Sequence, residues 1–506
     1  MKKISSSQYF KMNWLEKLGY NIFMFICAIP VFFFELGKKA CKGVALFVKA
    51  IGKELKEFAM IFTKGSVFTK VSYLIMGFGN LCRGQIVRGL FFLAFEVSFV
   101  MYQITSGISW MAKLRTLGDI GPHEEYDPIL DTYVRVNGDD SFKILLYGGF
   151  AVILCLVFIF VWRMNWRQSW ENDKLLKAGK KVPKFKEDFH DLVDAKFHKT
   201  LLTVPIIGIT AFTVLPIIFM IFVAFTNYDG AHDGYSALFT WVGFDNFKEL
   251  FGTGKAGLGF AFKKIFSWTI VWAILATFSN YFLGMILAIM INKKGIKFKK
   301  FWRGIFVLTI AIPQFISLLY MSKLFAKNGL INGFLIKLGM LSTPYDFWGH
   351  ALSARILVVV INIWIGIPYL MLIATGILMN IPEDLYESAK IDGANAVQQF
   401  FKITLPYMLF ITGPYLLTSF IGNMGNFNVI FLLGGGATAN PALTTSGGTA
   451  SDVDLLITWL FKITTGTESN YKLASVIGIM IFVIEATISV IGFNAMPSNK
   501  NEEDFQ

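Results

Sequence analysis

The sequence predicts an all-α, polytopic integral membrane protein, and three observations carry that prediction. The chain of 506 residues is 55% hydrophobic and only 16% charged, where soluble domains carry about 25% charged residues, and its mean hydropathy is +0.56. Apolar runs recur at roughly the 20-residue length that crosses a bilayer as a helix. The loops between them alternate between basic and acidic. The net charge of +13 does not indicate nucleic acid, because the lysines cluster in short loops beside apolar runs, the positive-inside pattern. Nucleic acid is therefore excluded as a partner, and membrane lipid is the expected surroundings.

Residues 1–70 read as an N-terminal arm. The apolar run Ile22–Phe34 has 13 residues, short for a span, and lysines on both flanks give it no orientation. No A-x-A cleavage signal accompanies it, so a removable signal peptide is not expected. From 43 to 62, Val44, Leu46, Phe47, Ile51 and Leu55 alternate with Lys49, Lys53, Glu54 and Lys56, which reads as an interfacial amphipathic helix. Eight spans are expected at 85–109, 143–162, 200–226, 267–291, 304–324, 353–380, 407–432 and 471–493. The first two lie in a segment 71–199 and the other six form a core over 200–493. A polar tail, 494–506, closes the chain.

Charge orients the spans. Residues 163–199 carry ten Lys/Arg, and 293–303 carry six with no acid. The 111–141 loop has three Lys/Arg against seven Asp/Glu. The basic loops are thus cytoplasmic and the acidic loop external. Counting forward places 381–406 in the cytoplasm and 227–266, 325–352 and 433–470 outside. In the last of these, Gly434-Gly435-Gly436, Pro441 and Gly447-Gly448 read as irregular loop, and Trp459, Leu460 and Phe461 as an interfacial turn.

The stretch 381–406 is a polar island between apolar runs. Pro382 suits a helix first turn, and Glu383, Asp384 and Glu387 follow where the helix dipole favours negative charge. Gly393 breaks that helix, and a second short one carries Val397, Phe400, Phe401 and Leu405. Glu387, Ser388, Ala389, Asp392, Gly393, Ala394, Phe400, Ile403, Leu405 and Pro406 closely resemble the EAA loop of ABC-importer permeases, E-A-A-x-x-D-G-A-x-x-x-x-x-F-x-x-I-x-L-P. Ser388, in place of the first alanine, is the one departure. The resemblance implies that Glu387, Ser388, Ala389, Asp392, Gly393, Ala394 and Phe400 couple the chain to a cytoplasmic ATPase. It also implies a six-helix permease core with additional N-terminal helices, in a bacterial plasma membrane.

Polar residues inside spans mark candidate functional sites. Asn362, Gly366 and Tyr369 fall at i, i+4 and i+7, one helix face, and Ser419, Asn423 and Asn426 repeat that spacing. Uncharged amides and hydroxyls with aromatic neighbours suit a sugar, although such residues also serve as helix–helix glue. N-x-W-x-G-x-P-Y at 362–369, S-F-x-x-N-x-x-N-F at 419–427, Phe225-Thr226-Asn227-Tyr228 and Val242-Gly243-Phe244-Asp245-Asn246-Phe247 resemble the maltose/maltodextrin, MalF-type permease subunits. The resemblance implies that the matching residues contact sugar. Its implied partners are a second homologous permease, two copies of a cytoplasmic ATPase and an extracellular sugar-binding protein. Gly422 departs from the enteric pattern, which is aromatic there. The outer segment 227–266 is short where enteric members carry an external domain, which suggests a layout with a lipid-anchored binding protein.

No catalytic or metal-ligating constellation is apparent. Gly252-Thr253-Gly254-Lys255 lacks the first glycine and the closing Ser/Thr of a phosphate loop, and the four cysteines lack metal spacing. The chain itself is expected to need no cofactor; ATP and Mg would be used by the partner ATPase. A permease for another oligosaccharide is one alternative. An ion-coupled sugar carrier is another, but it calls for a partnered intramembrane carboxylate and internal repeats. Glu96 and Glu485 have no evident partner in the sequence, and no repeat is clear. A membrane enzyme acting on lipid-linked sugar would need clustered acids or a metal site.

Overall fold

The computed structural model describes residues 14–129, 131–252, 257–293, 295–434, 437, 439–445, 448–466 and 468–495. The weak phosphate-loop resemblance at 252–255 falls almost wholly outside these, as do Gly435, Gly436 and Gly447 and the tail from 496. Among the described residues seven helices are long and apolar enough to cross a membrane, or eight if one bent pair counts as a span. The chain is a multi-pass membrane protein. It divides into two compact units, Val31–Gly243 and Phe244–Gln506 with Met1–Pro30.

The N-terminal arm differs from expectation. Its apolar run and amphipathic segment form one helix, α1 (Trp14–Lys64), of 51 residues. Between them stand only single glycines, each costing about 1 kcal/mol against alanine, too little to stop a helix. The spans of the first unit are α2 (Ile86–Lys113), α3 (Ser141–Lys177) and α4 (Phe197–Ala224). The acidic loop between α2 and α3 contains a hairpin, β1 (His123–Asp127) against β2 (Thr132–Val136).

The polar C-terminal extension of α3 organises this unit. Asp173 accepts from Ser66 N at 2.9 Å, Ser66 Oγ at 2.8 Å and Thr69 Oγ1 at 2.7 Å, and pairs with Arg83. Tyr73 stacks on Trp166 at 5.5 Å, and Trp162 Nε1 donates to the Tyr73 carbonyl, an aromatic group of the kind that marks membrane boundaries. Arg163 and Arg167 bind Glu54, and the Arg163 hydrogen bond leads in holding that carboxyl below the usual carboxylate range. Glu96, which has no evident partner in the sequence, accepts from the Met76 backbone N–H at 2.8 Å. A backbone donor 20 residues upstream is invisible to side-chain motif reading.

The second unit is built on α5 (Leu258–Asn292), which buries a side at nearly every turn. Next come α6 (Lys299–Ala311) and α7 (Gln314–Leu324), expected as one span over 304–324 but bent by 87° between them. Pro313 stands at the bend: it cannot donate a helical hydrogen bond, and it disfavours helix at Ile312 before it. After these, α8 (Ala351–Leu378) lies along α5, and two apolar clusters fill the seam. One joins Trp268, Trp272 and Ala276 to Ala354, Val358 and Ile361; the other joins Tyr281, Met285 and Ala288 to Leu370, Met371 and Ala374. Close packing and interhelical hydrogen bonds hold such seams, since lipid supplies little hydrophobic drive between helices.

Beyond α8, α9 (Glu383–Ile391) opens the polar island. The second short helix is not separate. Ala396–Gln399 passes through a π turn, Phe400–Thr404, directly into α10 (Leu405–Met424). The wide turn sits where Pro406 has no N–H to continue regular bonding. The span expected at 407–432 is interrupted at Gly425, after which α11 (Phe427–Gly434) begins. The segment 433–470 is more ordered than its glycines suggest: β3 (Ala439–Thr445) pairs with β4 (Gly448–Ser451). α12 (Leu456–Thr465) then buries Trp459 almost completely. Trp459 is therefore core, not an interfacial turn, and Phe461 packs on Phe427 at 5.1 Å. α13 (Tyr471–Ala495) ends the described chain.

Candidate functional site

Two constellations stand in the second unit. The first is the polar island. Pro382 is the N-cap rather than a first-turn residue of α9, and Glu383 and Asp384 occupy the first turn. Gly393 adopts φ +78°, the left-handed region that glycine enters without penalty. Its N–H donates to the Lys390 carbonyl at 3.0 Å, and Ala394 N–H to that of Ala389 at 2.8 Å. Asn395 and Gln398 then exchange side-chain and backbone hydrogen bonds, both at 2.8 Å, a reciprocal cap that starts the next helix. The base is anchored by Tyr386 Oη to Thr404 Oγ1 at 2.8 Å and by Phe400 against the Leu405–Met408 cluster.

Outward of that base, Glu387, Ser388, Asp392 and Gly393 are exposed, and Ala389 and Ala394 are half-buried. Ile391 is 86% exposed, and Leu385, Val397 and Phe401 are exposed as well. A rigid turn thus presents apolar and acidic groups together.

The second constellation is a polar layer around α5. Asn423 Nδ2 donates to Thr277 Oγ1 at 2.9 Å, while the Asn423 carbonyl accepts from Trp272 Nε1 at 3.0 Å. Asn426 Nδ2 reaches Asn423 Oδ1 at 3.3 Å, and Asn426 Oδ1 caps the Val429 N–H at the start of α11. Asn362 is buried on α8. A methyl group built on Gly366, one turn on, would collide with the Asn280 amide. Gly366 thus leaves a slot that Asn280 fills. Tyr369, at the end of that face, is 52% exposed; Ser419 is half-buried, and Gly422 stands in open space.

The two predicted faces therefore meet on α5, through Thr277 and Asn280, which belong to neither face. Their signal was present: a Thr and an Asn three residues apart on one side of an apolar span. Gly366→Ala is expected to overpack the slot at a cost of about 1–3 kcal/mol, read as a lower unfolding midpoint of the purified protein. An unchanged midpoint would mean that the Asn280 amide swings aside freely. Glu485, on α13, comes within 3.7 Å of a methyl built on Gly425 and has no ion-pair or hydrogen-bond partner among the described residues.

These helices and their interior polar layer define a class, the polytopic membrane transport component. Residues 280–496 match the family model described as binding-protein-dependent transport system inner membrane component. The chain is 32% identical over 437 residues to the maltodextrin transport system permease protein MdxF of Bacillus subtilis, covering 85% of this chain and 95% of that one. It is 31% identical to the maltodextrin permease MalC of Streptococcus pneumoniae, covering 84% and 94%. It is also 31% identical to the galactooligosaccharides permease GanP of B. subtilis, covering 85% and 97%. The chain belongs to the maltose/maltodextrin-type family of ABC-importer permease subunits.

Proposed function

We propose that this chain is one of two permease subunits of an ATP-driven importer for maltodextrin-type oligosaccharides, with 200–493 as its permease core. The observation that carries the reading is the exposed turn at 381–406, where Gly393 in the left-handed region orients α9 against the capped start of the next helix. Glu387, Ser388, Ala389, Asp392, Gly393, Ala394 and Phe400 seat that turn in a cytoplasmic ATPase, two copies of which bind ATP and Mg. Their closure moves α9, and through the Phe400–Thr404 turn the movement passes into α10 and the polar layer. An extracellular binding protein delivers the sugar to Asn362, Gly366, Tyr369, Ser419, Asn423 and Asn426. This chain contributes path and coupling, with no covalent chemistry of its own.

Between Ile265 and Asn292, Ile356 and Leu378, and Leu405 and Met424 there is no Asp, Glu, Lys or Arg, so α5, α8 and α10 contribute hydrogen bonds without a fixed charge, while Glu485 of α13 stands beside Gly425 at the edge of the layer. That suits a neutral polyhydroxyl cargo. A galacto-oligosaccharide is the second reading, favoured by the similarity to GanP.

The test is uptake of labelled maltotriose by proteoliposomes holding the complete complex and its binding protein. ATP inside the vesicles should drive accumulation. Accumulation driven by a proton or sodium gradient without any ATPase would sink the importer reading and leave an ion-coupled carrier.

A further inference from the structure

We infer that Asn280 is a further sugar-contacting residue, which together with Asn362 across the α5–α8 seam reads one hydroxyl of the transported oligosaccharide. The inference rests on the oligosaccharide reading above and extends the site to a third helix.

Asn280 is 8% exposed and Asn362 is 6% exposed. Neither amide hydrogen-bonds to any described residue, and Asn280 Oδ1 and Asn362 Nδ2 are sealed from solvent without a partner. Buried amide atoms are nearly always paired, and the lipid interior offers no water to replace the missing partner. The deficiency is local. Nearby on α5, Thr277 pairs with Asn423 at 2.9 Å, Tyr281 with Thr412 at 2.8 Å and Asn292 with Thr375 at 3.2 Å. The seam satisfies its polar groups except at this one level.

The two orphaned atoms are complementary. Asn280 Oδ1 only accepts, Asn362 Nδ2 only donates, and a sugar hydroxyl does both. The slot over Gly366 holds the Asn280 amide against α8, on the turn that follows Asn362. With no fixed charge on the neighbouring turns, the pair discriminates by hydrogen-bond geometry. Sites of this kind reject an analogue lacking the hydroxyl far more strongly than apolar pockets reject a changed shape. The competing account is that the amides turn to bond each other and serve only as helix glue.

Deoxy sugars separate the two accounts. The native complex and Asn280→Ala are compared in proteoliposomes at saturating binding protein, using maltose and a panel of monodeoxymaltoses. The native complex should carry one analogue about tenfold more slowly than maltose, roughly the value of one buried hydrogen bond. In Asn280→Ala, maltose should fall to that same rate and the difference between the two sugars should vanish. If every deoxy penalty persists in Asn280→Ala, or if the native complex shows none, the assignment is overturned. An equal loss for all sugars indicates packing and overturns it too. Should Asn280→Ala fail to assemble, Asn280→Ser, which keeps a smaller hydroxyl, should show a reduced penalty for the same analogue. If native vesicles carry galactobiose but not maltose, the maltodextrin reading fails, and monodeoxygalactobioses test Asn280 on the same criterion.

Discussion

Gly393→Val should abolish most of the ATPase stimulation by sugar-loaded binding protein, about tenfold or more, while the proposed assembly with a second permease and the ATPase still purifies intact. The reason is backbone, not crowding. No atom lies within 4 Å of where a side chain would start, so the valine has room, but φ +78° costs a β-branched residue about 1–2 kcal/mol. The cheapest relief is to abandon the left-handed turn, which re-aims α9 relative to the Asn395–Gln398 cap. Because the turn is exposed and its base is anchored through Tyr386 and Phe400, the rest of the fold need not respond. Gly393→Asn supplies the control, since Asn enters the left-handed region far more readily. It should retain most of the stimulation. If Asn and Val behave alike, the conformation at 393 is not what the proposed coupling to the ATPase depends on.

Sequence and structure part company for identifiable reasons. The spans were legible because twenty apolar residues leave few alternatives, and the turn at 381–406 because Gly393 and its flanking acids have fixed local meanings. What escaped was non-local. Ile312-Pro313 does announce a break, but nothing in a hydropathy run gives its 87° bend. Trp459 reads as interfacial because three apolar residues after a glycine-rich loop say nothing of the neighbours that bury the tryptophan. The two polar faces were read from their own spacing, whereas the helix that joins them, α5, contributes Thr277 and Asn280 singly. Asn280 becomes conspicuous only when its missing hydrogen bonds can be seen.

The other large effect is expected in the first unit, at Asp173. Asp173→Ala should destabilise the protein by about 3–5 kcal/mol, the cost of leaving a buried partner charge uncompensated, read as a marked drop in unfolding midpoint and yield. The side chains of Arg83 and Asp173 are 3% and 5% exposed, so screening by water is slight. Four donors converge on that carboxylate: the Ser66 N–H, the Ser66 and Thr69 hydroxyls and the Arg83 guanidinium. Asp173→Asn keeps an acceptor but not the charge, so it should fall between native and alanine. The double change Arg83→Met with Asp173→Leu removes the charge and its partner together. It should recover much of the loss, since apolar replacements of buried ion pairs are often neutral or better, though it leaves the Ser66 and Thr69 donors unserved. If the double variant is as unstable as Asp173→Ala, the hydroxyl and backbone donors matter more than the ion pair. The carboxylate would then serve chiefly to fasten the 66–85 segment to α3, with Arg83 a secondary partner.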